Sequence, residues 1–233
     1  MPTYQVPQFD AAIFDMDGLL LDSERVAFAA LQDACRAFSC NVSIEVYCTM
    51  VGLNKHESSR VLARHLGSRV PIAEFETTWL THIDRRYEKQ VPIKPGAAEV
   101  LCHLATRQMP MAIATSTETE RARWKLERAG LVPSSVHIIG GDQVAASKPA
   151  PDIFLEAAAR LDVAPSKCIV FEDSENGGRG AVAAGMSVVL VPDMVVPSEE
   201  LQNRALHVAG DLLTATREAG LIARNPEARL GKM

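Results

Sequence analysis

The sequence lacks cysteines at the short spacings that zinc and redox sites require. Its cysteines are five, an odd number, and no two of them form a C-x-x-C pair: Cys35, Cys40, Cys48, Cys102 and Cys168. Most of them lie in apolar or helical surroundings, so we interpret them as structural thiols rather than as disulfides or metal ligands. Unpaired thiols are typical of a reducing compartment, and we expect a cytoplasmic protein.

Long apolar runs and an excess of positive charge are also missing. No apolar run approaches the roughly 20 residues that a membrane span requires, and residues 1–8 lack the charged and apolar regions of a signal peptide. Lys and Arg number 24 against 29 Asp and Glu, which gives a net charge of −5. Basic residues are mixed with acids, as in residues 82–89. We therefore expect neither a membrane contact nor a nucleic-acid partner.

Short apolar segments alternate with helical patterns through most of the chain. Segments 11–14, 111–115, 136–139, 167–171 and 187–191 are typical of buried strands. Helical patterns of ordinary length separate the later strand segments from one another. This alternation predicts a parallel sheet with helices on both faces.

A stretch of about seventy residues, 24–91, has helical patterning only and interrupts this alternation. Ser23, followed by Glu24, is the predicted N-cap of its first helix. The 233 residues and the hydrophobic fraction of 47% suit one large domain that carries an insertion.

Polar side chains follow three of the predicted strands. Asp15 and Asp17 follow the first, Thr115-Ser116-Thr117 end the second, and Glu172-Asp173 follow a later one. Asp and Gly are also turn residues, so Asp15-x-Asp17-Gly18 alone could be an ordinary turn. The carboxyl ends of parallel strands meet at one edge of a sheet, however, where α/β proteins place their active sites.

These residue types together supply what phosphoryl transfer needs. A carboxylate can act as a nucleophile, and a second one can give and take a proton. Acidic oxygens can hold a hard cation such as Mg²⁺. Hydroxyl and ammonium groups can balance the charge of the phosphoryl oxygens. Lys148 lies in a loop with Pro149 and Pro151, which predicts that it is held in place.

Four motifs, taken in order, resemble those of the haloacid dehalogenase superfamily. They are Asp15-x-Asp17-Gly18, the hydroxyl of Thr115, Lys148-Pro149 and Glu172-Asp173. The similarity covers almost the whole chain and is strongest to the subgroup that contains β-phosphoglucomutase and many small phosphatases. The resemblance implies an α/β fold: a doubly wound, Rossmann-like parallel sheet core, residues 1–22 and 92–233, with an inserted α-helical cap domain, residues 23–91.

The resemblance also implies a role for each acidic residue. Asp15 would be the nucleophile that forms an aspartyl phosphate. Asp17 would be the general acid and base, with its main-chain carbonyl bound to Mg²⁺. Asp15 and Asp173 would be further Mg²⁺ ligands. Glu172 would belong to the same metal site and would orient either Lys148 or a metal-bound water.

The remaining roles concern the phosphoryl group and the substrate. Thr115, helped by the main-chain amide of Ser116, would bind a phosphoryl oxygen, and Lys148 would stabilise the charge there. Lys55, in the part of the chain that resembles the cap loop, would contact the far side of the substrate.

The function implied is a Mg²⁺-dependent phosphatase that acts on a small phosphate monoester, such as a sugar phosphate, in a monomer or weak dimer. Two alternatives stay open: a sugar-phosphate mutase of the β-phosphoglucomutase type, and a non-catalytic sugar-phosphate-binding member. Ala27 stands where the mutase has a histidine, and Glu118 lies in the stretch that would bind a second phosphate and would repel it. Every acidic residue of the family's motifs is present in this chain, which disfavours the non-catalytic alternative. The presence of Asp17 disfavours dehalogenation.

Overall fold

A computed structural model describes residues 9–131 and 136–222. The first eight residues, on which the expectation about a signal peptide rests, lie outside this part of the chain. Within it, none of the helices combines the length and the apolar character that crossing a membrane would demand.

The described residues form a six-stranded parallel sheet in the order β3-β2-β1-β4-β5-β6. The strands are β1 Ala11–Phe14, β2 Met111–Thr115, β3 Val136–Gly140, β4 Cys168–Glu172, β5 Ser187–Leu190 and β6 His207–Val208. Every residue of β1, β2 and β4 is buried, which explains their unbroken apolar runs. Phe14 pairs with Ile113 on one side and Phe171 on the other, so the polar residues that follow these strands lie at one edge.

Residues 23–87, which we call the helical insertion, follow β1. Its helices are α1 Ser23–Ala37, α2 Ile44–Cys48, α3 Lys55–Leu66 and α4 Ile72–Tyr87. They have a core of their own, built around Leu31, Leu62 and Phe75. The two connections to the sheet run side by side, since Asp22 N–H donates to the Pro92 carbonyl at 3.0 Å.

The predicted N-cap of α1 is wrong by one residue. Ser23 is the first residue of the helix, and Asp22 occupies the N-cap position without a capping hydrogen bond. Asp22 N–H still pairs with the Pro92 carbonyl of the second connection, and the Asp22 carboxylate accepts from Arg25 at 2.6 Å instead of capping the helix.

Within the described ranges, six further α-helices cover the two faces of the sheet. They are α5 Ala97–Thr106, α6 Thr119–Ala129, α7 Asp152–Leu161, α8 Glu175–Ala183, α9 Glu199–Arg204 and α10 Leu212–Glu218. Ala12 and Phe14 of β1 face a core shared with α5, α6 and α10. Ala11 and Ile13 face a second core shared with α7, α8 and α9. This is the doubly wound α/β arrangement that the sequence predicted.

Candidate active site

Lys148 lies at the centre of a buried charge cluster at the carboxyl edge of the sheet. Its Nζ donates to Asp15 Oδ1 at 2.6 Å, to Glu172 Oε1 at 2.6 Å and to the Ala114 carbonyl at 3.0 Å. Only 5% of Lys148 is exposed. Lys148 is therefore held in place, as its proline-flanked loop predicted.

The two charged partners Asp15 and Lys148 have shifted pKa values. Burial raises the pKa of Asp15 to about 7, with the Lys148 charge acting against it and the Glu172 charge adding to it. Burial disfavours the Lys148 cation, but the charges of Asp15 and Glu172 outweigh this and raise its pKa above the ordinary value. Lys148 is thus a permanent cation beside the Asp15 carboxyl.

Glu172 is fully bonded within the protein. Oε1 accepts from Lys148, while Oε2 accepts from the Ser174 amide and hydroxyl, both at 2.9 Å. A Cβ at Gly177 would lie 1.6 Å from Oε1, so only glycine leaves room for this carboxylate. Of the two roles considered for Glu172, these bonds favour the orientation of Lys148 over contact with a metal-bound water.

Asp173 approaches the end of β1 over Gly18. Gly18 has a φ of +91°, and a Cβ there would lie 2.2 Å from Asp173 Oδ2. Burial, followed by the negative charges of Glu172 and Asp15, raises the pKa of Asp173 well above its usual range. Among the described residues no side chain forms a hydrogen bond or an ion pair with Asp173, although the Lys148 charge partly offsets the rise in its pKa.

This edge of the sheet fits Mg²⁺. When ionised, Asp15, Glu172 and Asp173 would carry three negative charges against the one positive charge of Lys148, which is part of why the pKa values of Asp15 and Asp173 are raised. A divalent cation would balance the charge of the ionised cluster. The described residues contain no group of three His, Cys, Asp or Glu side chains arranged to hold a metal. Mg²⁺ needs only one or two carboxylates, with carbonyl and water oxygens completing its shell. The donors present would be the carboxylates of Asp15 and Asp173 and the carbonyl of Asp17.

Asp17 is held through both carboxylate oxygens. Lys125 Nζ donates to Oδ1 at 2.8 Å, and Thr117 Oγ1 donates to Oδ2 at 2.7 Å. Burial alone would raise the pKa of Asp17, but the charge and hydrogen bond of Lys125 and the bond from Thr117 lower it overall.

Lys125 belongs to none of the four motifs and was not predicted as a site residue. A signal was present, because Lys125 lies on the buried face of α6 together with Ala122 and Leu126, at helical spacing. A lysine on an apolar face needs a partner, but the pattern does not say which one.

The phosphoryl-binding candidates Thr115 and Ser116 differ in exposure. Thr115 is 1% exposed, and its hydroxyl accepts from the Thr117 amide at 3.1 Å. Ser116 is exposed. Both line the same cavity as Asp15.

The cavity has a volume of about 520 Å³ and lies between the sheet edge and the helical insertion. It brings together all the predicted site residues except Glu172, which lies beneath: Asp15, Asp17, Lys55, Thr115, Ser116, Lys148 and Asp173. Lys55 is exposed, on the side of the helical insertion. The insertion also contributes Glu24, Tyr47, Trp79 and Tyr87, none of which was predicted as a site residue.

Comparisons with known proteins bear on the family and the fold of the chain. The family model of the haloacid dehalogenase-like hydrolases matches residues 9–185. A probable pseudouridine-5'-phosphatase of Drosophila melanogaster is 34% identical over 206 residues, which cover 86% of this chain and 88% of the relative.

Two solved structures extend the similarity to the fold. A haloacid dehalogenase family hydrolase from Deinococcus radiodurans, with bound phosphate and sodium, is 30% identical with a TM-score of 0.76, covering 95% of this chain and 100% of the other. A putative β-phosphoglucomutase from Thermotoga maritima is 27% identical with a TM-score of 0.72, covering 91% and 97%. The predicted family and fold are therefore confirmed, and the chain belongs to the haloacid dehalogenase-like hydrolases.

Proposed function

We propose that the protein is a Mg²⁺-dependent phosphatase that hydrolyses a small phosphate monoester, a sugar phosphate or similar metabolite, through an aspartyl phosphate. The observation that carries the proposal is the contact of Asp15 with Lys148 at 2.6 Å on the floor of the cavity, with Asp17 lining the same space. A carboxylate beside a permanent cation is suited to attack phosphorus, because the cation offsets the charge that gathers there.

The reaction would take two steps. An Asp15 oxygen attacks phosphorus and the bond to the leaving oxygen breaks, while the Asp17 carboxyl gives that oxygen a proton. Water then attacks the phosphoryl group on Asp15, Asp17 takes a proton from it, and phosphate leaves with Asp15 restored. Thr115 and the Ser116 amide would hold phosphoryl oxygens throughout. Mg²⁺, held by Asp15, Asp173 and the Asp17 carbonyl, would neutralise charge on the phosphoryl oxygens.

The remaining assignments of the proposal concern the whole chain. Residues 23–91 would act as the cap domain over a core of residues 1–22 and 92–233, and Lys55 would contact the substrate from the cap. The five cysteines are free, which supports a reducing, cytoplasmic setting. A monomer or weak dimer stays a prediction.

Two lining residues favour a phosphatase over the mutase alternative. Ala27 lines the cavity and has no group to move a proton, and Glu118 would repel a second phosphate. Conversion of β-glucose 1-phosphate to glucose 6-phosphate tests that alternative directly, and clear turnover would favour the mutase.

The proposal is tested with p-nitrophenyl phosphate and Mg²⁺. We expect hydrolysis by the wild-type protein and a loss of about 10³-fold or more in Asp15→Asn, which keeps the shape but removes the nucleophile. Asp10→Asn is the matched control, because Asp10 is exposed just before β1. Mass spectrometry of acid-quenched wild-type protein should find a phosphoryl group on Asp15. Full activity in Asp15→Asn would refute the mechanism.

A further inference from the structure

A turn of the helical insertion, between α2 and α3, forms one side of the cavity. Residues 50–54, which we call the cavity turn, all line the cavity, and so does Lys55, the first residue of α3. The Leu53 amide donates to the Met50 carbonyl at 3.0 Å and closes the turn. Gly52, its third residue, has a φ of +77°, a conformation that favours glycine. The cavity turn therefore has a defined conformation of its own.

The cavity turn packs on the loop that follows β4. A Cβ at Gly52 would lie 3.1 Å from the Ser174 Cβ, so the turn and the loop are in close contact. Asn176 Nδ2 donates to the Gly52 carbonyl at 3.1 Å. Among the residues that the structure describes, no other hydrogen bond joins the cavity turn to the sheet or to the helices that cover it. This bond, with the packing around Gly52, sets where the turn lies against the sheet edge.

The loop on the other side of this contact is tied to the buried charge cluster. Ser174 donates to Glu172 through its amide and its hydroxyl, and the hydroxyl accepts from the Gly177 amide at 3.1 Å. Glu172 also accepts from Lys148. Asn176 lies in the first turn of α8, between Ser174 and Gly177. It therefore reaches the helical insertion from a base that is fixed by the bonds around Lys148.

The position of the cavity turn determines where α3 begins. Asn54 is the N-cap of α3, and its side chain accepts from the Glu57 amide at 3.0 Å. Lys55 follows directly and lines the cavity. Because the cap joins the turn to the helix, a shift of the turn would move Lys55 with it. Asn176 is not among the residues that line the cavity, so its influence on a substrate would be indirect.

The helical insertion as a whole has other attachments to the core. Arg121 of α6 pairs with Asp84 of α4, and Arg25 at the start of α1 pairs with Asp193 of the loop after β5. These ion pairs hold α1 and α4 rather than the cavity turn. Loss of the Asn176 bond would therefore release the turn without detaching the insertion.

We propose, on the basis of the proposed phosphatase function, that Asn176 is a positioning residue for substrate binding. Its bond to the Gly52 carbonyl holds the cavity turn in place, so that the turn and Lys55 meet the part of the substrate that extends away from the sheet edge. Without the bond, the turn occupies this position only part of the time, and an ester that needs it binds more weakly. The phosphoryl group, held at Thr115 and Ser116, does not need the turn.

The first test compares binding of an ester with binding of phosphate in Asn176→Asp and Asn176→Ala. An ionised Asp keeps the shape but cannot donate, and an acid suits the first turn of a helix, so this variant keeps α8 folded. With p-nitrophenyl phosphate and Mg²⁺ we expect KM to rise about threefold or more, as loss of one neutral hydrogen bond implies, and kcat to change little. The inhibition constant of inorganic phosphate should stay as in the wild type.

The controls for this test are two further variants. Asn176→Gln keeps the amide donor and should restore part of the affinity. Asn203→Ala should leave KM unchanged, because Asn203 is exposed on α9 and does not line the cavity. An unchanged KM in both Asn176→Asp and Asn176→Ala would overturn the positioning role. An equal rise in KM and in the phosphate inhibition constant would overturn it as well, because Asn176 would then act only on the loop after β4.

A second test displaces the cavity turn from its own side. Gly52→Ala places a methyl group against Ser174 and should raise KM as Asn176→Ala does. Gly67→Ala is the matched control, because Gly67 has a φ of +67° but a Cβ there would meet no atom within 4 Å. If both substitutions release the same turn, the double variant should raise KM by less than the product of the two single effects. Fully multiplicative effects would contradict a shared action through the turn.

Hydrogen exchange measures the position of the turn without catalysis. We expect the amides of residues 50–58 to exchange about threefold faster or more in Asn176→Ala, and those of β4 to exchange as in the wild type. Unchanged exchange in residues 50–58 would overturn the positioning role. If the wild type hydrolyses p-nitrophenyl phosphate and KM does not respond to Asn176, only the positioning role fails. If the wild type hydrolyses no ester, the phosphatase function fails and the positioning role fails with it.

Discussion

Lys125 Nζ lies 2.8 Å from Asp17 Oδ1 and joins the buried face of α6 to the end of β1. Lys125 is 7% exposed, and Thr117 holds the other oxygen of the same carboxylate. The ion pair stabilises the ionised form of Asp17 and fixes its position. The residue proposed as proton donor is therefore controlled by a lysine outside the four motifs.

Lys125→Gln should move the pH profile of hydrolysis. Loss of the cation raises the pKa of Asp17, because the Lys125 charge is the leading influence that lowers it against burial. If Asp17 must be protonated to give the leaving oxygen its proton, kcat/KM falls as the pH rises past the pKa of Asp17. The descending limb should then shift to higher pH in Lys125→Gln by about one unit, at the lower end of what an adjacent opposite charge produces.

The control for this profile is Arg123→Gln. Arg123 is exposed on the same helix, so this variant removes the same charge without touching Asp17. Its profile should match the wild type at saturating Mg²⁺. An unmoved limb in Lys125→Gln, or an equal shift in both variants, would contradict the role given to Lys125.

The sequence predicted the part of the site that strand ends determine. Asp15, Thr115 and Glu172 each end or follow an apolar strand, and parallel pairing of β2, β1 and β4 is enough to bring them to one edge. That Lys148 is held in place followed from the stiffness of its loop. These features are local, so a pattern of a few residues carries them.

The contacts between elements could not be predicted in the same way. Lys125 and Asp17 are 108 positions apart, and their meeting depends on how α6 rotates against the sheet. The contact of Tyr47 with Glu24 depends on how α2 packs on α1. Side-chain packing between helices sets both, and the periodicity of one helix does not encode its partner. The residues that the helical insertion contributes to the cavity were not predicted for that reason.

Gly18→Ala should weaken the proposed Mg²⁺ site. A Cβ at this position would lie 2.2 Å from Asp173 Oδ2, and the φ of +91° adds strain for a non-glycine residue. Asp173 must then move from the place where it faces Asp15. We expect the Mg²⁺ concentration for half-maximal activity to rise about tenfold or more, as a displaced ligand implies.

Gly185→Ala is the control for this variant, because it introduces backbone strain without a steric clash. Gly185 has a φ of +74°, but a Cβ there would meet no atom within 4 Å. It should cost about 1 kcal/mol of unfolding free energy and leave the Mg²⁺ requirement unchanged. If both variants need the same Mg²⁺ concentration as the wild type, Asp173 is not a ligand.

Glu24→Gln should flatten the dependence of stability on pH. Burial raises the pKa of Glu24 to about 7 from an ordinary 4.5, against the opposing hydrogen bond from Tyr47. Between these values the folded protein keeps a proton that the unfolded chain has released. The contribution of Glu24 to the free energy of unfolding therefore falls as the pH rises from about 4.5 to about 7. Above that pH the contribution is absent.

The measurement is urea unfolding at several pH values from 4.5 to 8. Gln cannot ionise but still accepts from Tyr47, so Glu24→Gln should gain about 1 to 3 kcal/mol relative to the wild type across this range, since one unit of pKa corresponds to about 1.4 kcal/mol. Glu127→Gln, at an exposed position of α6, should run parallel to the wild type. A difference between Glu24→Gln and the wild type that stays constant with pH would show that Glu24 does not hold its proton in the folded protein.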